Sequence, residues 1–195
     1  MSSLKNYVYE NIKAKILSWN NGIIYDIYVI SLYISNVEDD PEKPMITLGY
    51  NTMEQYEKSI SHASDNAEAK WNFAFWLQNE ELIIGDNWGE NLEDREMILE
   101  WIKENNLYYS DEDEVEDFDK TLRLGDEIIH EFVELCVEVV KQLHYEGVIQ
   151  QKFGRAIPIL IHELEYYDLI AEQNERANPK EVVKEFVDWI LDNKV

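Results

Sequence analysis

The stretch Arg155–Asn178, RAIPILIHELEYYDLIAEQNERAN, joins an apolar run to a helical pattern, and the fold prediction starts from it. Its apolar residues between 156 and 161 have the length and β-branched content of a strand covered on both faces. Because Pro158 lacks a backbone donor, this strand lies at a sheet edge, or the proline occupies its first residue or a bulge. From Glu163 the pattern predicts a helix that directly follows the strand and ends at Asn178-Pro179, with one apolar face: Leu164, Tyr167, Ile170 and Ala171.

The rest of the chain shows strands early and helices late. Alternating or β-branched runs predict three further strands, at 23–34, 45–50 and 82–84. The strand at 45–50 is expected to be antiparallel to the strand at 23–34. Apolar residues at helical spacing predict the helices: 4–19, 52–62, 65–71, 92–105, 126–145, 148–153 and 181–191. We therefore predict one α+β domain over 1–195, with a small, mainly antiparallel sheet packed against several helices.

Length and composition indicate a globular domain. The 195 residues include 45% apolar residues and 4 prolines, so the chain can form a core of its own. A single cysteine, Cys136, argues against a disulfide framework and fits a reducing compartment. The sequence has neither a membrane-spanning apolar segment nor the apolar stretch of a signal peptide, which predicts a cytoplasmic protein.

Charge is the feature that departs furthest from an average protein. The chain has 41 acidic and 17 basic residues, a net charge of −24. Such a charge repels nucleic acids and anionic membranes, so we expect neither as a direct partner, and it favours a basic protein. Solubility alone is the competing explanation. The charge is concentrated: residues 86–119 contain 14 acids against Arg95 and Lys103.

The run DEDEVEDFD, residues 111–119, has seven acids in nine positions, and we predict an acidic loop over about 108–121. Two interpretations stay open. Mutual repulsion is typical of a solvated, mobile loop, whereas the apolar Val115 and Phe118 would suit a recognition loop that binds Lys and Arg of a partner. The second interpretation predicts these partner-binding residues: Asp111, Glu112, Asp113, Glu114, Glu116, Asp117 and Phe118.

Catalytic motifs are poorly represented. His162-Glu163 begins like the zinc motif H-E-x-x-H, but position 166 is tyrosine, so the second histidine is missing. His162 with Glu163, Glu165 and Asp168 could still bind a hard cation, although acids at a helix start are also favoured by the helix dipole. Glycine-rich phosphate loops, G-x-S-x-G and C-x-x-C are absent from the sequence. We predict no catalytic residue, no metal and no cofactor.

Three other candidates have simple structural interpretations. His130 is expected on the flank of the longest helix, partly exposed. Cys136 lies in the apolar stripe of that helix, where burial would raise its pKa and make it unreactive. The aromatic residues of 71–88 predict a loop-like aromatic segment that packs into the core, with a ligand pocket or an interface as the alternatives: Trp71, Phe73, Phe75, Trp76 and Trp88.

Three strings, IYVISLYISNVEDDPEKPMITLGYNT, EAKWNFAFWLQNE and IPILIHELEYYDLIAEQNERANP, resemble a family of small cytoplasmic bacterial proteins associated with polymorphic-toxin immunity proteins. The resemblance covers most of the chain and carries no catalytic motif. It implies a non-enzymatic binder that neutralises a basic toxin, such as a nuclease, by covering it with an acidic surface. The alternatives are a metal-assisted hydrolase that uses the cluster at 162–168, or a housekeeping protein.

Overall fold

The computed structural model describes residues 3–86 and 92–192. The helices are α1 Leu4–Ser18, α2 Met53–Ser59, α3 Asn66–Trp71, α4 Glu93–Glu104, α5 Asp111–Glu116, α6 Phe118–Tyr145, α7 Val148–Phe153, α8 Asp168–Ala177 and α9 Lys180–Asp192. The strands are β1 Ile27–Asn36, β2 Pro44–Thr52, β3 Leu82–Ile84 and β4 Ile159–His162, and short 3-10 turns occupy Val37–Asp39 and Phe73–Phe75.

The four strands form one mixed sheet in the order β3-β2-β1-β4. The β1–β2 and β2–β3 pairs are antiparallel, and β4 joins β1 in parallel. A parallel partner needs a long crossover, which helices α4 to α7 provide between β3 and β4. The α+β prediction is confirmed, and β1 is the longest strand as expected, although it begins at Ile27 rather than at Ile23.

Helices cover both faces of the sheet. Side chains alternate along each strand, so Ile30 and Leu32 face the larger core with α1, α6 and α7. Val29 and Leu160 face a second core with α3, α8 and α9. All four residues of β4 are buried, as the apolar run predicted for a strand covered on both sides. Strict alternation would put Ile27 on the Val29 side, but a bulge between these two residues places it in the larger core.

The stretch that follows β4 differs from the prediction. The helix begins at Asp168 and not at Glu163, and residues 163–167 are extended or bent. Tyr166 explains this conformation, since its ring packs edge-on against Phe186 of α9 and its hydroxyl accepts a hydrogen bond from the Phe73 backbone N–H at 2.9 Å. The chain must cross from the sheet edge to this contact before it can turn into α8. Leu164 and Tyr167, predicted on the buried face, are exposed.

The outer edge of β4 is hydrogen-bonded to two asparagine side chains, Asn174 within α8 and Asn178 at the C-cap of α8. Asn178 accepts from the Ile159 N–H at 2.8 Å and donates to the Ile159 carbonyl at 2.9 Å. Asn174 does the same for Ile161, at 2.9 and 2.7 Å. Four residues of helix rise about 6 Å, close to the roughly 6.6 Å between alternate residues of a strand. The two amides therefore act as a neighbouring strand, and Pro158 precedes this ladder.

The acidic segment is helical, which corrects the predicted loop at 108–121. Residues 111–116 form α5, and α6 begins at Phe118, eight residues before the predicted start at Asp126. Gly125, the residue before the predicted start, lies inside α6, where an added Cβ would come within 3.0 Å of a Pro41 side-chain atom. The glycine permits close contact between α6 and the β1–β2 turn. It therefore marks a packing contact within the helix and not the end of a helix.

Candidate functional site

Helix α5 owes its formation to a capping box. The Ser110 hydroxyl accepts from the Asp113 N–H at 3.2 Å, and the Asp113 carboxylate accepts from the Ser110 N–H at 2.9 Å. The Ser110 hydroxyl also donates to the Asp113 carboxylate at 2.7 Å, and this bond, together with the one from the Ser110 N–H, lowers the pKa of Asp113. Acids in a first helical turn also interact favourably with the helix dipole. The capping box therefore stabilises a helix in a run of like charges, where the charge density had indicated a loop.

Helices α5 and α6 meet at Asp117, whose side chain accepts from the Lys120 N–H at 3.1 Å and so caps α6. We call residues 111–122 the acidic corner. Three of its apolar side chains point to solvent: Val115 is 89% exposed, Phe118 57% and Leu122 52%. Phe118 and Leu122 are four residues apart and lie on the same face of α6. The corner therefore combines exposed carboxylates with a group of exposed apolar side chains.

A second acidic segment, the β1–β2 turn, lies beside the corner. The Glu42 carboxylate accepts a hydrogen bond from the Tyr109 N–H at 3.2 Å. Burial raises the pKa of Glu42, and the charges of Asp40 and Asp111 raise it further. Burial, with Glu42, Asp40 and Glu114 nearby, likewise raises the pKa of Tyr109 to about 12. Acids that are about 70 residues apart in the sequence thus contribute to one negative field.

The carboxylates of the corner are not neutralised by neighbours. Within the described residues, no carboxylate of 96–119 forms an ion pair. Lys120, the one base of the corner, acts on Asp113 only through its charge, and Lys103 lies over the Tyr108 ring. Ion pairs occur elsewhere on the surface, for example Lys43 with Glu38 and Asp40, and Arg176 with Glu134. All predicted partner-binding side chains are exposed except Asp113, which is half-buried at the cap.

The structure does not assemble the predicted cation-binding set around His162. The His162 ring is fully buried, with Nε2 at 2.8 Å from the Ser31 hydroxyl and Nδ1 at 3.0 Å from the Glu163 carbonyl. Both ring nitrogens are thereby used inside the core, while Glu165 and Asp168 are exposed. In the described ranges, no group of three or more His, Cys, Asp or Glu side chains has an arrangement that could hold a metal ion.

The aromatic segment packs largely as core. Trp71 and Trp76 are buried in the second core, and Phe73 stacks on Tyr33 with ring centroids 5.3 Å apart. Phe73, Trp76, Tyr33 and Tyr166 surround the His162 ring. Phe75 is half-buried in a 3-10 turn. Trp88, the remaining predicted member, lies outside the described residues.

Two single-residue predictions are confirmed. His130 is exposed on the flank of α6. Cys136 is completely buried, and burial raises the pKa of its thiol. A thiol that is protonated and inaccessible cannot act as a nucleophile in the folded chain.

Comparison of the chain with protein-family models, with curated proteins and with solved structures finds no match. No helix in the described ranges combines the length and the apolar character needed to cross a bilayer. The site is therefore interpreted from its own geometry.

His162 predicts an acid-dependent loss of stability. Burial lowers its pKa to about 4, whereas an unfolded chain has a histidine pKa near 6.5. Between these values only the unfolded state takes up the proton, so the free energy of unfolding falls as the pH falls from about 6.5 to about 4. The loss attributable to His162 is about 3 kcal/mol, since each pKa unit corresponds to about 1.4 kcal/mol.

The comparison that isolates this effect is urea unfolding of the wild type and of His162→Gln at a series of pH values. The variant is expected to be less stable at pH 7, because the contact with Ser31 and the ring packing change. The difference between the two proteins should shrink by about 3 kcal/mol towards pH 4, because the variant has no imidazole to protonate. A constant difference across this range would contradict a buried neutral histidine.

Proposed function

We propose that this chain is a non-enzymatic, cytoplasmic binding protein that docks a basic protein through the acidic corner. One observation carries the proposal: Val115, Phe118 and Leu122 are exposed among carboxylates that have no ion-pair partner in the described chain. Acids kept only for solubility need no large apolar side chains between them. A docking surface needs both, since desolvated apolar side chains supply affinity and the surrounding charge supplies rate and specificity.

The partner is proposed to be cationic. The net charge of −24 repels polyanions at long range, so direct binding of nucleic acid or of anionic lipid is disfavoured. The sequence resemblance to toxin-immunity proteins supports the same class of partner. On this proposal the chain neutralises a basic toxin, with a nuclease as the leading candidate, because an acidic surface can occupy a site that normally receives a polyanion.

The test begins with the protein encoded beside this chain, produced as its separate domains. We expect tight binding of one basic domain, with an affinity that weakens as salt is raised. Binding should also abolish the toxicity or the nuclease activity of that domain. Absence of binding to any neighbouring product, together with light scattering that shows a tight homo-oligomer of this chain, would favour a housekeeping role instead.

Phe118 is the residue to test first in such a complex. Phe118→Ala should weaken the affinity about 30-fold, the equivalent of about 2 kcal/mol for an aromatic anchor at the centre of an interface. The folded state should change little, because 57% of the side chain is already exposed. Isothermal titration calorimetry measures the affinity, and thermal unfolding checks the fold.

The matched control is Tyr145→Ala. Tyr145 is 92% exposed at the opposite end of α6, so its removal tests the loss of an exposed aromatic ring outside the corner. It should leave the affinity unchanged. Equal affinities of the Phe118 variant and the wild type would remove the corner from the interface.

A further inference from the structure

A groove separate from the acidic corner runs between α1 and α4, with a volume of about 710 Å³. We call it the α1–α4 groove. The two helices are held together beside it by the Tyr7 hydroxyl, which donates to the buried carboxylate of Asp94. The groove is therefore fixed by a contact inside the fold and does not have to form when a ligand binds.

The floor of the groove is apolar. Leu4 and Tyr7 contribute from α1, and Met97 and Trp101 contribute from α4. Tyr7, Met97 and Trp101 are only partly buried, although they pack against the main core. The Trp101 ring contacts Phe132 edge-on, with centroids 6.0 Å apart, so this floor is continuous with the packing around α6. It offers a rigid apolar surface to a partner side chain.

One wall of the groove is a row of glutamates. Glu93, Glu96, Glu100 and Glu104 recur at three- and four-residue spacing and all line the groove. This spacing places them in a single stripe on α4, next to the stripe of Met97 and Trp101. All four are exposed, and none forms an ion pair with another residue of the described chain. Among the described residues, the α1 side contributes only Ser3, Leu4 and Tyr7 to the lining, none of them charged.

We propose that the α1–α4 groove is a second docking site, which takes a basic amphipathic helix of a partner protein. The glutamate row extends over 12 residues, or about 16 Å of helix from first to last, which matches about three turns of a bound helix. The apolar face of that helix would lie on the floor, and lysines or arginines on one flank would meet the glutamates, as in other helix-in-groove complexes.

Charge selects this occupant over others. A second copy of the chain would bring another net −24 towards an acidic wall, and nucleic acid or an anionic membrane would be repelled in the same way. A neutral apolar helix would use the floor and leave the four carboxylates without a partner. A helix with one cationic flank can pack its apolar face on the floor and pair its positive charges with the glutamates of the wall.

The probe is a 14-residue synthetic peptide with leucine on one helical face and lysine on the other, labelled with fluorescein. Its affinity is measured by fluorescence anisotropy at low and at physiological salt. We expect Glu96→Gln, Glu100→Gln and Glu104→Gln together to weaken binding about tenfold, a summed effect of three exposed charge pairs. Glu93 is retained because it stabilises the first turn of α4.

Matched controls separate a site from general attraction to an acidic protein. Glu127→Gln, Glu131→Gln and Glu175→Gln together remove the same charge from exposed positions outside the groove, and they should change the affinity less than twofold. A scrambled peptide of the same composition, which cannot segregate its leucines, should bind at least tenfold more weakly. If the control variant weakens binding as much as the groove variant, or the scrambled peptide binds equally well, the proposal fails.

A second measurement does not depend on charge. Glu100→Cys can be labelled selectively with a benzophenone maleimide, because the native Cys136 is completely buried. Irradiation should cross-link the peptide to a label at 100 and not to one at 131, introduced as Glu131→Cys. Cross-linking at 131 alone would contradict the groove whatever the affinities show.

The test is independent of the proposed function. Neutralising Asp111, Glu112, Glu114 and Glu116 of the acidic corner removes more charge than the groove variant, yet it should leave peptide binding within twofold of the wild type. If the corner variant alone weakens binding, the peptide has identified the corner, and the groove proposal fails while the docking function stands. Thermal unfolding of each variant confirms that it is folded.

Discussion

Asn174→Leu should lower the free energy of unfolding by about 3 kcal/mol, although it replaces a polar core residue by an apolar one of similar size. The Asn174 side chain is completely buried and bonds both the N–H and the carbonyl of Ile161. Leucine would leave the Ile161 N–H buried without an acceptor, which costs about 1 to 3 kcal/mol, and would also forfeit the bond to the Ile170 carbonyl. The Ile161 carbonyl keeps its donor in Gln173.

Thermal unfolding and amide exchange measure the two parts of this effect. A loss of about 3 kcal/mol corresponds to a fall in melting temperature of about 10 °C for a domain of this size. Exchange of the Ile161 amide should accelerate beyond what the global loss of stability explains, since its acceptor is gone. Asn66→Leu is the control, because Asn66 is an exposed asparagine at the start of α3. If Asn174→Leu is as stable as this control, the side-chain ladder does not hold the sheet edge.

The same contact explains how an exposed sheet edge is avoided. An unpaired edge strand invites pairing with another chain, and proteins cover or charge such edges. Here Asn174 and Asn178 complete the pairing of β4, and Asn178 also contacts His144 at 3.0 Å. Aggregation of Asn174→Leu on mild heating would be the further consequence of an uncovered edge.

Sequence patterns predicted the elements whose side chains follow one period. Leu4–Ser18 and Lys180–Asp192 agree with the predictions because the apolar face of each helix packs on a single core. The antiparallel pair β1–β2 also agrees, because its residues follow the period of a strand. The Thr52 cap was also identifiable, since its side chain accepts from the Gln55 N–H as a capping sequence predicts. The edge ladder could not be foreseen. Two asparagines four residues apart on a helix look like ordinary polar positions until the strand beside them is known.

For the acidic segment the prediction was wrong because of local hydrogen bonds rather than tertiary contacts. Charge density suggested a loop, but local hydrogen bonds of Ser110 and Asp117 outweigh the repulsion and form two helices. Because α6 was predicted to begin at Asp126, the pairing of Phe118 with Leu122 on one helical face was missed. The spacing of four residues was the available signal. The contact of Gly125 with the β1–β2 turn is tertiary and was not predictable from the local pattern.

Neutralising six carboxylates of the acidic corner should slow association with the proposed basic partner about 10- to 100-fold at low salt. The changes are Asp to Asn and Glu to Gln at Asp111, Glu112, Asp113, Glu114, Glu116 and Asp117. These carboxylates form no ion pair in the described chain, so their field reaches solvent and steers an approaching cation. The dissociation rate should change less, because exposed charges at a rim act mainly on encounter.

Stopped-flow association at several salt concentrations measures this effect. Added salt should slow association of the wild type steeply and of the variant weakly, so that the two rates converge. Salt screens the attraction between the corner and a cationic partner, and the substitutions have already removed this attraction from the variant. Asp113 and Asp117 also cap helices, so a second variant changes only Asp111, Glu112, Glu114 and Glu116 and leaves the caps in place. It should retain most of the effect if charge, and not helix loss, is the cause.

A control variant with the same net charge distinguishes steering by the acidic corner from attraction to the total negative charge of the chain. Glu57, Glu80, Glu131 and Glu175 are exposed on other parts of the chain, and their change to glutamine matches the four-residue variant in charge. If association depends on the corner, this control should stay within about threefold of the wild type, because screening limits exposed charges beyond about 10 Å. Equal slowing by both variants would show that the partner senses only total charge. The position of the corner carboxylates would then have no role in recognition.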